Sequence, residues 1–198
     1  MLSNAGAILG GGDGEDIISI ELYSDGNNTV FGGDDDDDDF IFIIGDGDNL
    51  IYGGGTGGTN CIHISGGGGN TVFNGGGDDD ISVDDGSTGD NQLHGSAGND
   101  YFELDVDDDD TSEARATLVL SDGSGADTVD GFRFDGGTLL DLSMLSDLGQ
   151  ADADTIISRL SQNGNDVILF ITAGQIVTFE DMTVYNFQRA DPDDWLIL

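Results

Sequence analysis

The chain has no lysine, one cysteine and two histidines, and only four arginines stand against 41 acidic residues. Each shortage excludes a class of chemistry. Without lysine there is no Walker phosphate loop, however glycine-rich the turns are. A single cysteine, Cys61, leaves disulfides no part in the fold, and an isolated thiol at a repeat position reads as a small apolar residue. The two histidines, His63 and His94, are too few for a clustered zinc site. No apolar run approaches the roughly 18 residues of a membrane-spanning helix. The opening Met1-Leu-Ser-Asn-Ala-Gly lacks the basic region and apolar core of a cleaved signal peptide. Gly-x-Ser-x-Gly, His-Glu-x-x-His and Cys–His signatures are missing as well. Carboxylates abound, but a glycosidase needs two of them in one cleft with separated pKa values. The expectation is a protein without catalytic activity. A formal charge of -37 also disfavours nucleic acid and anionic membrane surfaces as partners.

What the chain does have is repetition. Asn28, Asn49, Asn70 and Asn91 recur every 21 residues, and each opens a cassette such as Asn28-Thr-Val-Phe-Gly-Gly or Asn49-Leu-Ile-Tyr-Gly-Gly. The same ruler picks out Asp16, Asp37, Gly58, Asp79 and Asp100. Two turns per period, one ending in Asp and one in Asn, describe a chain wound in coils, the signature of a solenoid. Leu9, Val30, Ile51, Val72 and Leu93 form one apolar column. Ile18-Ile20-Leu22, Phe40-Phe42-Ile44, Ile62-Ile64, Ile81-Val83 and Phe102-Leu104 are expected to face it as half-buried strands. Small insertions around Asp34–Asp39 and Gly53–Gly58 shift two of these strands. Phe31, Tyr52, Phe73 and His94 sit one residue after the inward column and so point outward, either as a self-stacking ladder or as a lateral contact surface. His63 and His94 read as members of such ladders.

The turns account for the composition. Gly11-Gly-Asp13-Gly-Glu-Asp16-Ile-Ile18-Ser fits the G-G-x-G-x-D-x-U-x nonapeptide, where U is a large apolar residue. Asn74-Gly-Gly-Gly77-Asp-Asp79-Asp-Ile81, Gly95-Ser-Ala-Gly98-Asn-Asp100-Tyr-Phe102 and Asp122-Gly-Ser-Gly125-Ala-Asp127-Thr-Val129 fit with single departures. Glycine permits backbone conformations that aim carbonyls at a common centre, and Asp adds a carboxylate. Oxygen-only ligation of that kind suits a hard cation such as calcium. The candidate ligands are Gly11, Asp13, Asp16, Asp35, Asp37, Asp38, Asp79, Gly95, Asp100, Asp122 and Asp127. Asn28, Asn49, Asn70 and Asn91 join them as uncharged half-sites that either hold calcium weakly or act as a hydrogen-bonded spine. The acidic stretch from Asp105 to Glu113 lies outside the repeat phase and is expected to be a solvated loop. A core this narrow leaves metal binding a large share of the folding free energy.

With these turns the chain resembles the repeats-in-toxin (RTX), or hemolysin-type calcium-binding, proteins. The resemblance implies an all-β fold, a parallel β-roll with Ca2+ held between the turns of successive coils. Residues 1–130 form the repeats, and residues 131–198 form a small C-terminal cap. The cap is expected to hold one short helix, N-capped by Asp152 and running to about Ser161, and a hairpin of Val167–Ile171 with Gln175–Glu180. The closing Asp193-Asp194-Trp195-Leu196-Ile197-Leu198 resembles the uncleaved tail of type I secretion substrates, which implies export by that machinery; it also suits packing onto the cap. Nothing in Met1–Leu9 looks able to cap the first coil. The leading expectation is therefore a secreted calcium-binding structural protein, extracellular or at the cell surface. It would assemble head-to-tail into a filament, matrix or surface layer, with Phe31, Tyr52 and Phe73 as a possible lateral contact. The alternative is a monomeric secretion and folding module of a larger or partner effector. Ice binding fits poorly, because the column that would need regular threonines reads Thr29, Leu50, Thr71, Gln92.

Overall fold

Alternating Val and Ile side chains favour pleated strands, and glycine clusters between them force reversals; a computed structural model shows how the two combine. It describes residues 6–20, 26–84, 89–105, 115–134 and 137–198. The expected strand residue Leu22 and the acidic loop at 106–114 lie outside the described residues.

The strands alternate between two facing sheets. One sheet stacks β1 (Ile8–Gly12), β3 (Thr29–Gly33), β5 (Leu50–Tyr52), β7 (Thr71–Phe73), β9 (Asp90–Gly95), β11 (Arg115–Ser121) and β13 (Thr138–Met144) in parallel. The other stacks β2 (Ile17–Ile20), β4 (Phe40–Ile43), β6 (Cys61–Ile64), β8 (Asp80–Val83), β10 (Tyr101–Leu104) and β12 (Ala126–Asp130), also in parallel. The fold is an all-β parallel solenoid with coils of about 21 residues.

Period-two alternation fixes the core. Val30, Ile51, Val72, Leu93 and Leu118 line one sheet with no exposed surface, and Ile41, Ile62, Ile81, Phe102 and Val129 line the other. On β4 the inward residues are Ile41 and Ile43, not the expected Phe40, Phe42 and Ile44. Five consecutive apolar residues, Phe40 to Ile44, carry no polar alternation to mark the face; the pairing Ile18↔Ile41↔Ile62 decides it. Phe31, Tyr52, Phe73 and His94 do point outward and stack, with ring centroids 5.1, 5.3 and 4.2 Å apart along the column.

Both sheets run on past Asp130. β13 continues the first and ends on β17 (Leu196–Ile197). In the second, β16 (Gln175–Phe179) lies parallel to β12, and β15 (Asp166–Thr172) and β14 (Leu160–Asn163) close it antiparallel. The expected hairpin is therefore β15–β16. Helix α1 (Ala153–Ile157) starts at Asp152, whose carboxylate accepts the Thr155 N–H at 2.9 Å. It stops short of Ser161 because Leu160 already belongs to β14. A second helix, α2 (Val184–Arg189), begins on a Thr183–Asn186 capping box that the sequence reading missed. Phe132, Phe179, Phe187 and the fully buried Trp195 pack around one centre continuous with the coil core, edge-to-face or tilted except for Phe132 and Phe187, which are near-parallel.

Candidate metal centre

The two turn edges of the solenoid are built differently, residue by residue. On one edge, Asn49, Asn70 and Asn91 each accept twice from the coil before them. Asn49 Oδ1 takes the Asn28 N–H at 3.0 Å and the Asn28 side-chain amide at 2.8 Å. Asn70 receives the same pair from Asn49, at 3.1 and 2.8 Å, and Asn91 from Asn70, at 3.1 and 2.9 Å. The Asn28 and Asn49 amides also donate to Gly26 O and Gly47 O, each at 2.6 Å. Every step is 21 residues. The four residues form a hydrogen-bonded spine in which the oxygens of Asn49, Asn70 and Asn91 are each committed to two donors, and that of Asn28 accepts the Ala7 N–H at 2.9 Å.

On the other edge the ladder is Asp16, Asp39, Asn60, Asp79, Asp100 and Asp127. Each backbone N–H donates to Oδ1 of the next member, at 3.0, 3.1, 2.7, 3.0 and 3.1 Å. The steps are 23, 21, 19, 21 and 27 residues. A strict 21-residue ruler therefore passes through Asp37 and Gly58, two residues short of the true members. Asp37 is exposed, and the buried ladder position belongs to Asp39, which the sequence reading left out. Asp38 is exposed too and accepts the Thr59 N–H at 2.6 Å.

One oxygen per carboxylate is thus used along this edge, and the second is not. Oδ2 of Asp16, Asp79, Asp100 and Asp127 is buried with no partner in hydrogen-bond geometry. Asp35 is similar: one oxygen accepts the Gly14 N–H, and the other is buried without a partner. An ionised carboxylate brings acceptors only, so these atoms call for a positive partner. Burial pushes Asp79 up to about 7 and Asp127 up to about 8, and it raises Asp39 and Asp100 as well. The glycines keep room beside these oxygens. A Cβ on Gly11 would lie 2.4 Å from Asp16 Oδ2, and one on Gly32 would lie 2.4 Å from Asp39 Oδ2. At Gly95 the surroundings are mainly apolar: a Cβ there would meet Leu120 Cδ2 at 3.1 Å and Phe102 Cζ at 3.5 Å, with Asp127 Oδ2 at 3.6 Å.

A hard cation fits this donor set of unpaired carboxylate oxygens beside glycine turns. Asp16, Asp35, Asp79, Asp100 and Asp127 are the residues that could supply such oxygens, with Gly11 beside Asp16 and Gly32 beside Asp39 on the same ladder. Among the described residues, no three His, Cys, Asp or Glu side chains converge as a metal cluster. Asp13 is exposed, beside a surface depression of about 440 Å3 lined by Gly10–Gly12, Phe31 and Gly32–Asp34. Asp122 stands apart, because Ser146 donates to both its oxygens through its N–H and its hydroxyl. Those bonds hold its pKa below the usual carboxylate value.

The histidines and the cysteine lie off the turns. His94 ends the aromatic stack, and burial lowers its pKa. His63 Nδ1 lies 2.8 Å from Ser82 Oγ, and its Nε2 lies 3.2 Å from Asp84. Cys61 is half-buried beside Asp80 on the outer face of its sheet, where burial raises its pKa.

No known family profile and no curated protein matches the chain. Among solved structures it is similar to the extracellular lipase LipA from Serratia marcescens, at 14% identity and a TM-score of 0.34. That match covers 87% of this chain and 40% of the lipase, so the chain spans less than half of that protein's length. Among the described residues, no helix is long and apolar enough to cross a membrane.

Proposed function

We propose that the chain is a calcium-binding β-roll of the repeats-in-toxin type, which folds when Ca2+ fills the Asp-edge turns outside the cell. The observation that carries this reading is the row of buried oxygens on Asp16, Asp79, Asp100 and Asp127 that complete no hydrogen bond. A fold with these oxygens charged and unpaired is costly, and the net charge of -37 adds repulsion along the whole chain. Calcium removes both penalties at once. Sites of the extracellular kind, with dissociation constants of roughly 0.1–1 mM, stay empty in the cytosol and fill after release. The unfolded chain is then the exportable form. Trp195 and Leu196 are buried in the folded protein, so recognition of this C-terminal segment by a type I exporter precedes folding. The role assigned is binding and scaffolding rather than catalysis.

Isothermal calorimetry with Ca2+, with Mg2+ as the comparison ion, tests the binding. Saturable uptake of several Ca2+ ions, with Mg2+ far weaker, is expected; absence of calcium uptake would remove the proposal.

Self-assembly is the second part of the reading. Ile8 on β1 and Ile17 on β2 are 81% and 76% exposed at the outer strands of both sheets, and open edges of this kind accept further strands. Electron microscopy in millimolar calcium should show filaments or sheets that disappear in chelator. Single particles in both conditions would instead favour a monomeric module of a larger or partner protein.

A further inference from the structure

The outward aromatic column stops short at the first coil. Phe31, Tyr52 and Phe73 stack face to face, with interplanar angles of 4° and 12°. Such a stack uses both faces of every ring except those at its ends. The strand register puts Gly10 at the next position beyond Phe31, one strand spacing of about 4.8 Å away. A Cβ on Gly10 would meet nothing within 4 Å. The free face of the Phe31 ring therefore opens into the depression of about 440 Å3 lined by Gly10–Gly12 and Gly32–Gly33. Asp13 and Asp34, both exposed, stand on its rim. The hollow is a socket for one more ring, with negative charge beside it.

A side chain that fits is found at the opposite end of the solenoid. Among the described residues, the exposed large apolar side chains fall into two groups. Ile8, Ile17, Phe31 and Tyr52 belong to the first three coils. Met144, Phe170, Tyr185, Ile197 and Leu198 belong to the C-terminal cap, and none lies between the groups. Tyr185 is the most exposed of the cap group, at 62%. Its helix, α2, is tied to β14, the last strand of its sheet, where the Val184 N–H donates to Gln162 Oε1 at 3.0 Å. α2 buries Phe187 in the core, and Tyr185 and Arg189, four residues apart, share the opposite side. The Arg189 guanidinium lies over the Tyr185 ring, 5.4 Å from its centre, and Nη1 donates to the Tyr185 hydroxyl oxygen at 3.3 Å. Ring and cation are presented together.

We infer that Tyr185 and Arg189 of one copy of this chain dock in the Phe31 socket of the next. The tyrosine ring continues the Phe31–Tyr52–Phe73 stack at the place where Gly10 has no side chain, and Arg189 meets Asp13 and Asp34. With a net charge of -37 on every copy, a local pairing of opposite charges is what lets two ends approach. The contact joins two different patches, so it propagates from copy to copy. It rests on the self-assembly reading above and adds the residues that make the joint.

Analytical ultracentrifugation in millimolar calcium tests it. Gly10→Trp fills the socket, and Tyr185→Ala with Arg189→Glu removes the side chains that enter it. Calorimetric calcium uptake equal to that of the wild type checks that each variant is folded. Each variant alone should sediment as a monomer. An equal mixture should form dimers and nothing longer, because Tyr185 of the first variant enters the open socket of the second. Variants that assemble as the wild type does would overturn the joint and leave self-assembly standing. Variants that are monomeric alone and stay monomeric when mixed would overturn it as well. A wild type that remains monomeric would remove the self-assembly reading and the joint with it. If a variant takes up no calcium, p-benzoylphenylalanine in place of Tyr185 decides the matter in an otherwise wild-type chain. Photo-cross-links between copies at Gly10–Gly12 or Phe31 are expected, and their absence would contradict the joint.

Discussion

The Asn edge and the Asp edge of this solenoid carry the same backbone ladder, yet only one of them completes its own hydrogen bonding. Asn49 and Asn70 each present an oxygen that takes two donors and an amide that supplies the next pair. An amide brings donor and acceptor together, so the column closes on itself at every step. Asp79, Asp100 and Asp127 accept the neighbouring N–H through Oδ1 just as an Asn would, and then have a second oxygen with nothing to meet it. One atom, NH2 against O−, separates a self-sufficient spine from one that needs an external charge. Asn60 shows the exchange within a single ladder: its oxygen accepts the Asp39 N–H and its N–H groups reach Asp79 Oδ1, while Asp79 Oδ2 still has no partner.

The comparison can be broken most forcefully at Asp100. Asp100→Asn keeps an oxygen for the Asp79 N–H and removes the charge, so it should weaken calcium-driven folding by at least roughly tenfold in ion concentration. Urea unfolding across a calcium series should also show a shallower dependence of stability on calcium, because fewer ions are taken up on folding. An unchanged dependence would place the ions elsewhere.

Protons offer a second route. Burial raises Asp79 to about 7 and Asp127 to about 8 in the folded chain, against 3.8 for the ordinary side chain. A carboxylate whose folded pKa is raised stabilises the fold fully below its unfolded pKa and loses that contribution as pH rises through the folded value. In chelator, acidification from about pH 8 to about pH 5 should therefore recover β structure, with protons standing in for the cation. In calcium the same acidification should weaken metal binding. Circular dichroism at fixed pH steps reads both signs; a chelated chain that loses structure on this acidification would contradict the assignment.

On the Asn edge, Asn70→Ala leaves the Asn49 N–H and side-chain amide without their acceptor, a cost of about 1–3 kcal/mol for an unsatisfied buried group. The loss should be equal at every calcium concentration, which urea melts on the same series would show. A loss that shrinks as calcium rises would mean that the Asn edge binds metal too. The smallest effect is expected at Asp37. Asp37→Asn should leave the calcium midpoint unchanged and stability within about 0.5 kcal/mol, as for an exposed side chain. A large shift there would restore the strict 21-residue register.

The sequence carried the coil, the Asn spine and the outward aromatic column plainly, because the Asn and aromatic columns keep a constant 21-residue step. The Asp edge was harder to read for a specific reason. The turn before Asp39 gains two residues and the step from Asn60 to Asp79 loses two, so the constant ruler fails at Asp37 and Gly58 and is right again at Asp79. Six identical Asp residues, Asp34 to Asp39, give no mark of which one faces inward, and only pairing with the neighbouring coils selects Asp39. In the cap, the β15–β16 hairpin and the Asp152 cap were legible as local signals. The pairing of β17 with β13 depends on contacts distant in sequence, which no local pattern encodes, whereas β14 pairs with β15 across the Asn163–Asp166 turn and α2 opens on the Thr183–Asn186 capping box, two local signals that were passed over.

The most direct test of the central claim is far-UV circular dichroism of the purified chain, first in excess chelator near pH 8 and then with calcium added to about 10 mM. The account predicts a largely disordered spectrum in chelator that converts to β structure as calcium fills the Asp-edge turns. The same β spectrum, with the same thermal midpoint in chelator and in calcium, would contradict it.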